Sequence, residues 1–296
     1  MSFYDELVAQ GLLLPTGVDG IPGRGGVFED VMRHFDAFLS RSIAGDHPEE
    51  MHFPPVINRD VFEKAGFLNS FPQLAGSVFS FDGNERQHRE LVERLDNHLP
   101  WQDLQTMTDV CLTPAACYPV YPLCSGTLPA TGRLVDLWAY CFRHEPSPDP
   151  ARMQMFRVRE NVRLGDEATV VAWRATWMER GVAMLRSLEL PVELVAASDP
   201  FFGRAGKMLA ANQKEQGLKF EVVIPINSVE NPTAIMSFNY HRDHFTTKYD
   251  IRMPDGQLAQ TACLGFGMER CVLALFKTHG LTPATWPATV RALLWP

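Results

Sequence analysis

Residues 141–160 read CFRHEPSPDPARMQMFRVRE, and this stretch decides how the chain folds. Apolar runs lie on either side of its proline-rich segment, 145–150. Because proline interrupts strands and favours turns, the pattern predicts a long hairpin of two antiparallel strands. Alternate strand residues point the same way, so Arg143 and Glu145 would share one face, and arginines of the returning strand would complete a basic cleft. The two strands are predicted over 134–142 and 153–158.

Four segments before this hairpin carry patterns of their own. Apolar residues recur at helical spacing from Val27 to Ile43, which predicts an amphipathic helix. Residues 52–57 are apolar and contain prolines, as is typical of a strand at a sheet edge or a subunit boundary. We expect a polar helix at 87–99, and a strand at 110–120 that continues into a cysteine-containing segment.

The segments after the hairpin extend the same architecture. The pattern at 167–188 is strongly helical, 220–226 and 233–238 are predicted as consecutive strands, and 264–279 begins with glycines and continues as an apolar helix. Antiparallel pairs of strands with helices before and after them predict an α+β fold. Since no Ser/Gly linker divides the chain, we expect one domain over 1–296.

The composition limits the possible partners. A chain with 46% hydrophobic and 21% charged residues is typical of a globular protein in water, and no apolar run approaches the length of a membrane span. The formal charge of −8 argues against a broad tRNA or DNA surface. Residues 1–10 lack the basic start of a secretory signal, so we expect a cytoplasmic protein whose six cysteines are reduced and free to bind metal.

The order of the polar motifs is more informative than any one of them. By itself, Arg-x-Glu is typical of a surface ion pair, and the Gly-x-Gly of GFGMER at 265–270 is typical of a tight turn. A strand with Arg-x-Glu, a return strand with arginine and a glycine-rich junction with Arg270 together resemble motifs 2 and 3 of the class II aminoacyl-tRNA synthetases. HFPPVIN at 52–58, with the helix before it, resembles motif 1.

The whole chain more closely resembles one family, the amino acid:[carrier protein] ligases. These are bacterial relatives of the catalytic core of the archaeal-type seryl-tRNA synthetase, so the resemblance implies a class II synthetase-like antiparallel sheet flanked by helices. The strings that carry it are TPAACYPVYP (113–122), FRHEP (142–146), DPARMQ (149–154), DPFFG (199–203) and MSFNYH (236–241).

The resemblance implies an enzyme that activates an amino acid with ATP and magnesium. Arg143 would contact the α-phosphate, Glu145 the adenine amino group and Arg152 the γ-phosphate. Met153 would line the nucleotide, and Arg270 would stack on adenine and approach the phosphates. Arginine suits these roles because its forked guanidinium matches phosphate in both charge and shape.

The strand before motif 3 departs from the class II pattern. Synthetases usually carry acidic residues there, but residues 233–237 include none. Glu221 on the neighbouring strand is expected to take part of that duty and to bind ATP. Ala234, Ser237 and Asn239 are expected to contact the amino acid substrate.

The same resemblance implies a zinc site formed by Cys117, Glu160 and Cys263, with Glu160 therefore in a catalytic role. Sequence separation alone would favour buried apolar cysteines, and Cys124 and Glu167 are the nearest rival ligands. Three protein ligands leave one tetrahedral position open, as in catalytic zinc sites. The neutral amino group of the substrate would fill that position.

The expected acceptor is the phosphopantetheine thiol of a carrier protein and not tRNA, because the chain has no appended tRNA-binding domain and is acidic. A helical insertion around 200–219 would dock the carrier through Arg204, Lys207 and Lys214, with Lys219 adding charge, although a solvated helix face explains the same residues. Glycine or alanine is the expected substrate. The resemblance to motif 1 implies that the helix at 27–43 forms a homodimer interface, although its apolar face could equally belong to the core.

Two other functions stay open. A non-catalytic, synthetase-like zinc-binding subunit is one, and a minimal enzyme that aminoacylates RNA is the other. GRGG at 23–26 lacks the Gly-Lys-Ser/Thr ending of a phosphate loop. HRDH at 241–244 is interpreted as hydrogen-bonded structure and not as a metal pair.

Overall fold

A mixed sheet built on the 133–165 hairpin forms the centre of the computed structural model, which describes residues 2–296. The strands are β1 (Leu13–Leu14), β2 (Gly23–Arg24), β3 (Glu49–His52), β4 (Val56–Asn58), β5 (Ser77–Ser80), β6 (Thr106–Leu112), β7 (Gly126–Thr127), β8 (Arg133–Phe142), β9 (Met155–Gly165), β10 (Glu193–Ala196), β11 (Lys219–Ile224), β12 (Thr233–Arg242), β13 (Ile251–Arg252) and β14 (Gln260–Gly267).

The helices pack on both sides of that sheet. They are α1 (Phe3–Ala9), α2 (Gly26–Ile43), α3 (Arg59–Ala65), α4 (Phe67–Ser70), α5 (Glu85–Asp96), α6 (Glu167–Ser187), α7 (Gly203–Glu215), α8 (His244–Tyr249), α9 (Met268–His279) and α10 (Ala288–Leu294). The helices predicted at 27–43, 87–99 and 167–188 correspond to α2, α5 and α6 within three residues at each end. Among residues 2–296, none of the helices combines the length and the apolar character that crossing a bilayer requires.

The main sheet confirms the predicted α+β class. Its strand order is β10-β11-β12-β14-β9-β8-β3, and every pair is antiparallel except β3 with β8. The hairpin register pairs Phe142 with Met155 at the turn end and Arg133 with Leu164 at the other end. The glycine-rich junction is the last part of β14 followed directly by α9.

The Arg-x-Glu motif lies beyond the end of β8, not on a strand face as predicted. The ladder closes with the Arg143 amide donating to the Gln154 carbonyl oxygen at 2.8 Å, and the chain then leaves the sheet. Prolines 146, 148 and 150 have no N–H to continue the pairing. Arg143 and Glu145 are therefore held at the mouth of the hairpin.

The strand predicted at 52–57 is divided between two sheets. β3 ends at His52 as an edge of the main sheet, and β4 begins at Val56 in a small sheet of order β4-β6-β5. The two prolines between them interrupt the backbone pairing. The strand predicted at 110–120 likewise ends early, at Leu112, and a 3-10 helix follows at Tyr118–Cys124.

The sheet separates two apolar cores, and this division positions the site. On one face, α2, α6 and α9 bury a core with Phe35, Trp177 and Phe266. On the other face, the 3-10 helix, α3 and α8 pack over Val162 and Cys263. Because side chains alternate along a strand, each residue of the sheet points into one of these two cores or into the space beside it.

The alternation of side chains along β9 also directs its arginines away from the predicted basic cleft. Arg157 points to the α2 side, where its Nε lies 2.8 Å from Glu269 and its guanidinium 2.7 Å from Glu29. Arg159 pairs with Asp136 on the same side at 2.6 Å. These buried ion pairs link β9 to α2, β8 and the start of α9, so their charges are already balanced.

Candidate active site

A cavity of about 520 Å³ opens on the sheet face opposite α2, α6 and α9. Its floor comes from β9, β11, β12 and β14, and its walls come from residues near α4 and from the inner side of α7. The residues that matter for its chemistry are Cys117, Arg143, Glu145, Phe156, Glu160, Asp199, Lys219, Glu221, Ala234, Ser237, Asn239, His241, Cys263 and Arg270.

The structure brings Cys117, Glu160 and Cys263 together at the inner end of this cavity. Their two sulfurs and one carboxylate oxygen all lie within 4.8 Å of one another, and the three residues are buried. The rival residues lie elsewhere: Cys124 Sγ is 3.1 Å from Arg133 Nη1, and a carboxylate oxygen of Glu167 is 3.3 Å from the Tyr240 hydroxyl.

The local sequence explains how three distant residues meet. Cys117 immediately precedes the 3-10 helix that begins at Tyr118. Glu160 on β9 pairs in register with Gly265 on β14, two residues beyond Cys263, so both side chains project from the same face.

The chemistry of the cluster fits a divalent metal. Burial raises the pKa of Glu160, and the hydrogen bond with Cys117 followed by burial raises the pKa of Cys263 well above its usual range. These effects strengthen the binding of protons to both groups. A bound divalent cation would replace these protons, and a set of two thiolates and one carboxylate is one that zinc accepts.

Two side-chain nitrogens lie against the Cys263 sulfur. Asn239 Nδ2 and His241 Nε2 are each 3.5 Å from Sγ, and His241 Nδ1 is 3.1 Å from the Thr261 hydroxyl oxygen. Burial lowers the pKa of His241 to about 3, so the ring is neutral. The HRDH segment is thus hydrogen-bonded, since His244 Nε2 also lies 3.1 Å from Lys248 Nζ.

Arginines surround the other end of the cavity. Arg143 Nε donates to the Pro114 carbonyl oxygen at 3.2 Å, and its guanidinium lies 5.7 Å from the centre of the Phe156 ring. Arg270 is held by the carbonyl oxygens of Ala151 and Ala234, at 2.8 and 3.1 Å. Its side chain is therefore fixed by backbone groups and not by an acid.

The electrostatics of these arginines favour an anion. Burial, and next the positive charges of Arg143 and Arg152, lower the pKa of Arg270, although a guanidinium stays protonated in proteins. Several like charges near one another repel, and an incoming polyphosphate relieves that repulsion. This end of the cavity is suited to bind phosphates.

Two predicted nucleotide contacts have other partners in the structure. Arg152 Nη1 lies 3.1 Å from a carboxylate oxygen of Glu145, and this ion pair sits at the rim with the Arg152 side chain half exposed. Met153 is not brought to the cavity: it is buried in the α2-side core, with its sulfur 3.5 Å from Arg24 Nη2.

Phe156 is a cavity residue that the sequence analysis missed. It lies on β9 with Val158 and Glu160 at alternate positions, and all three line the cavity. Strand alternation from Glu160 was the signal that could have found it.

A buried charge network joins the cavity to α7. Lys219 Nζ lies 2.5 Å from Asp199 and 3.0 Å from Glu221, and Gln213 of α7 exchanges two 2.7 Å hydrogen bonds with Asp199. Burial disfavours the charged form of Lys219, but Asp199 and Glu221 outweigh it and raise the pKa of the amine. The prediction that Lys219 adds charge to a docking surface is wrong, because its amine is buried between carboxylates.

Helix α7 covers the cavity and presents two different faces. Leu209 and Gln213 line the cavity, whereas Arg204, Lys207 and Lys214 are exposed to solvent. Ala234, Ser237 and Asn239, for which substrate contacts are predicted, line the same cavity from β12. The structure thus brings most of the predicted site residues to one cavity and its cover.

Comparisons with known proteins agree with this arrangement. No family model matches the chain. Two proteins of Bradyrhizobium diazoefficiens, named amino acid–[acyl-carrier-protein] ligase 2 and ligase 1, are each 44% identical to it over 97% of the chain, which spans 86% and 88% of their lengths. The type-2 serine–tRNA ligase of Methanopyrus kandleri is 28% identical over 60% of this chain and 36% of its own.

Solved structures show the same fold at lower identity. The seryl-tRNA synthetase of M. kandleri, crystallised with an A. aeolicus tRNASec, aligns with a TM-score of 0.84 and 19% identity over 99% of this chain and 60% of its own. The seryl-tRNA synthetase from Pyrococcus horikoshii, complexed with ATP, aligns with a TM-score of 0.72 and 12% identity over 99% of this chain and 62% of its own. The predicted class II synthetase-like fold is confirmed.

Proposed function

The chain belongs to the amino acid–[acyl-carrier-protein] ligases, and from that premise we propose how its cavity works. It is a ligase that uses ATP to activate an amino acid and transfers it to a carrier protein. We propose that the amino acid is glycine or alanine and that the acceptor is a phosphopantetheine thiol. The main support is that a Cys/Glu/Cys cluster and a set of arginines face each other in one cavity.

Cys117, Glu160 and Cys263 would hold a zinc ion at the inner end of the cavity. When bound, zinc would supply an open coordination position for the neutral amino group of the substrate. Ser237 and Asn239 lie on the neighbouring strand, where they can orient the bound amino acid. The substrate carboxylate would then point toward the arginines.

The arginines would carry the adenylation step. A carboxylate oxygen of the amino acid bonds to the α-phosphorus of ATP, and the bond to pyrophosphate breaks. Arg143 and Arg270 are placed to stabilise the negative charge on the phosphoryl oxygens and to hold the two anionic reactants together. Arg152 at the rim would contact the terminal phosphate once it releases Glu145, which would be free to bind adenine.

Magnesium would accompany ATP, and Glu221 on the cavity floor is the acidic residue that would contact it. Glu221 shares Lys219 with Asp199, so part of its charge is already balanced. The triphosphate supplies oxygen ligands to magnesium, which also keeps several waters, so the metal needs few carboxylates from the protein. This fits a strand β12 in which positions 233–237 carry no acidic residue.

The amino acid can be identified by pyrophosphate exchange into ATP. With a panel of amino acids, we expect glycine or alanine to support exchange and larger side chains to fail. Tyr118, His241 and Phe245 crowd the cavity beside the cysteine cluster and would oppose them. One methylene changes the binding free energy by only about 1–3 kcal/mol, so kcat/KM for glycine and alanine would differ by one or two orders of magnitude. Absence of exchange with every small amino acid would leave a binding subunit instead of an enzyme.

Transfer would follow when the carrier thiol attacks the aminoacyl carbonyl and AMP leaves. Carrier proteins are generally acidic, and the outer face of α7 carries Arg204, Lys207 and Lys214 above the cavity. Exposed Phe202 and Met208 lie on the same helix region and offer apolar contact. This local positive surface would steer the carrier despite the overall charge of −8.

Reversing the charge at Arg204 and Lys207 tests the docking role of α7. In the double variant Arg204→Glu, Lys207→Glu, we expect thioester formation to slow by about 10–100-fold, because charge steering changes association rates by such factors. Pyrophosphate exchange should stay within about twofold of the unaltered protein. The matched control is Arg86→Glu, Arg89→Glu on α5, which makes the same charge change on another exposed helix. Equal losses in both half-reactions would contradict docking.

We propose a homodimer formed through α2 and the edge strand β3. β3 pairs on one side only, with β8, and its residues are largely exposed. The apolar face of α2 is buried in the core of its own chain, so the outer face of this helix and the open edge of β3 are the surfaces that a second copy can cover. Sedimentation or light scattering measures the mass in solution, and a monomer would contradict the proposal.

A further inference from the structure

A chain of two contacts connects the Cys263 sulfur to His241 and His241 to Thr261. His241 Nε2 lies 3.5 Å from Sγ, and the other ring nitrogen, Nδ1, lies 3.1 Å from the Thr261 hydroxyl oxygen. Thr261 is fully buried, and it lies two residues before Cys263 on the same strand. Phe245 packs edge-on against the imidazole with the ring centres 5.0 Å apart, so the ring is held from a third side.

This histidine does not belong to the ligand cluster itself. Among residues 2–296, the group of metal-binding side chains whose ligand atoms lie within 4.8 Å of one another contains Cys117, Glu160 and Cys263 and no histidine. His241 thus touches one ligand and stays outside the set that surrounds the centre. That is the position of a residue that acts on a metal through its ligand.

The two contacts of the ring are consistent with a single tautomer. A metal-bound thiolate can only accept a hydrogen bond, so Nε2 must carry the proton that faces Cys263. In that tautomer Nδ1 accepts a hydrogen bond, and the Thr261 hydroxyl can donate it at 3.1 Å. The opposite tautomer would direct a nitrogen lone pair at the sulfur.

We propose that His241, oriented by Thr261, is a positioning residue that donates a hydrogen bond to the Cys263 thiolate and strengthens zinc binding. This inference rests on the zinc site proposed above. Two thiolates and one carboxylate carry one more negative charge than zinc neutralises, and they do so in a buried place. An N–H donor offsets that excess, as Asn239 Nδ2 does from its own 3.5 Å contact with the same sulfur.

Zinc dissociation tests the proposal without reference to catalysis. The variants are His241→Phe, which keeps the contact with Phe245 and removes the donor, and Thr261→Val, which keeps the shape and removes the hydroxyl. We expect both to purify with zinc and to release it to a chelator faster than the unaltered protein. The increase should be about 10–100-fold for His241→Phe, the usual effect of losing a partner of a metal ligand, and smaller for Thr261→Val.

Cobalt substitution provides a second measurement. Loss of a donor raises the energy of the thiolate lone pairs, so the thiolate-to-cobalt absorption band should move to longer wavelength in both variants. The control is His244→Phe, because His244 packs edge-on against Phe245, with ring centres 4.8 Å apart, and its Nε2 faces Lys248. Its zinc release and cobalt band should match those of the unaltered protein.

The outcomes separate this inference from the zinc site itself. Zinc release at the unaltered rate in both variants would overturn the role of His241, and so would purification of His241→Phe without any zinc, since that would make it a ligand. An unaltered protein that binds no zinc would overturn the proposed site first. If His241→Phe does not fold, Thr261→Val and the cobalt band decide.

Discussion

Replacing Cys117 or Cys263 by alanine is expected to remove the bound zinc and to abolish most amino acid activation. Each change deletes one of three buried ligands that lie within 4.8 Å of one another, and the remaining two would not retain the ion. A metal that binds the substrate contributes several kcal/mol, so amino-acid-dependent pyrophosphate exchange should fall by about two orders of magnitude or more. Elemental analysis of the purified variants gives the zinc content.

Cys271→Ala is the matched control for this pair. Cys271 is equally buried, but its sulfur contacts the Ile235 carbonyl oxygen at 3.4 Å within the α9 core. This variant should keep one zinc per chain and near-normal pyrophosphate exchange, with only the small loss of stability that follows from a smaller buried side chain. Full zinc content in both Cys117→Ala and Cys263→Ala would show that the metal binds elsewhere in the protein.

Replacing Arg143 by alanine is expected to lower kcat/KM for pyrophosphate exchange by on the order of 10²–10³, the effect of losing one donor to a developing oxyanion. Arg143 lies at the hairpin mouth in the cavity, and within residues 2–296 its guanidinium contacts the Pro114 carbonyl oxygen and the Phe156 ring. It therefore keeps donors available for phosphate. The kcat/KM of Arg143→Lys should lie between those of Arg143→Ala and the unaltered protein, since lysine keeps the positive charge but lacks the forked guanidinium.

The controls for Arg143 separate catalysis from folding. Thermal unfolding and zinc content of both variants should stay close to those of the unaltered protein, since one partly buried hydrogen bond to Pro114 is worth about 1 kcal/mol. Arg89→Ala on the exposed face of α5 should leave exchange unchanged. Exchange by Arg143→Ala within a few-fold of the unaltered rate would remove this residue from the proposed adenylation step.

The elements of the fold were largely predictable because each has a local pattern. The proline-rich turn at 145–150 predicts the hairpin, and helical spacing predicts α2 and α6. The errors occurred where a strand ends. Consecutive prolines split the 52–57 strand between two sheets. Arg143 and Glu145 were predicted to lie on a strand, but they follow the last residue of β8.

The site was less predictable, because its residues depend on partners far away in the chain. Arg157 and Arg159 resemble cleft residues in sequence, but Glu29, Glu269 and Asp136 neutralise them on the other face of the sheet. Lys219 resembles a docking charge, and only the fold reveals that it lies between two carboxylates. Local patterns contain no information about such pairings.

The cysteine cluster illustrates the opposite situation. Sequence separation contained no signal for it, and the resemblance to a family suggested the three residues. Strand register then explains why two of them meet, since Glu160 and Cys263 project from one face of paired strands. Thr261 was missed, and His241 was interpreted only as hydrogen-bonded structure, because the contacts that connect them to Cys263 form between β12 and β14.

The most direct test of the account is the mass of a carrier protein after incubation with the enzyme, ATP and glycine or alanine. The account predicts that the phosphopantetheinylated carrier gains the mass of one aminoacyl group, that hydroxylamine removes it as expected for a thioester, and that the apo-carrier gains nothing. A carrier of unchanged mass, while tRNA in a parallel reaction becomes aminoacylated, would contradict it.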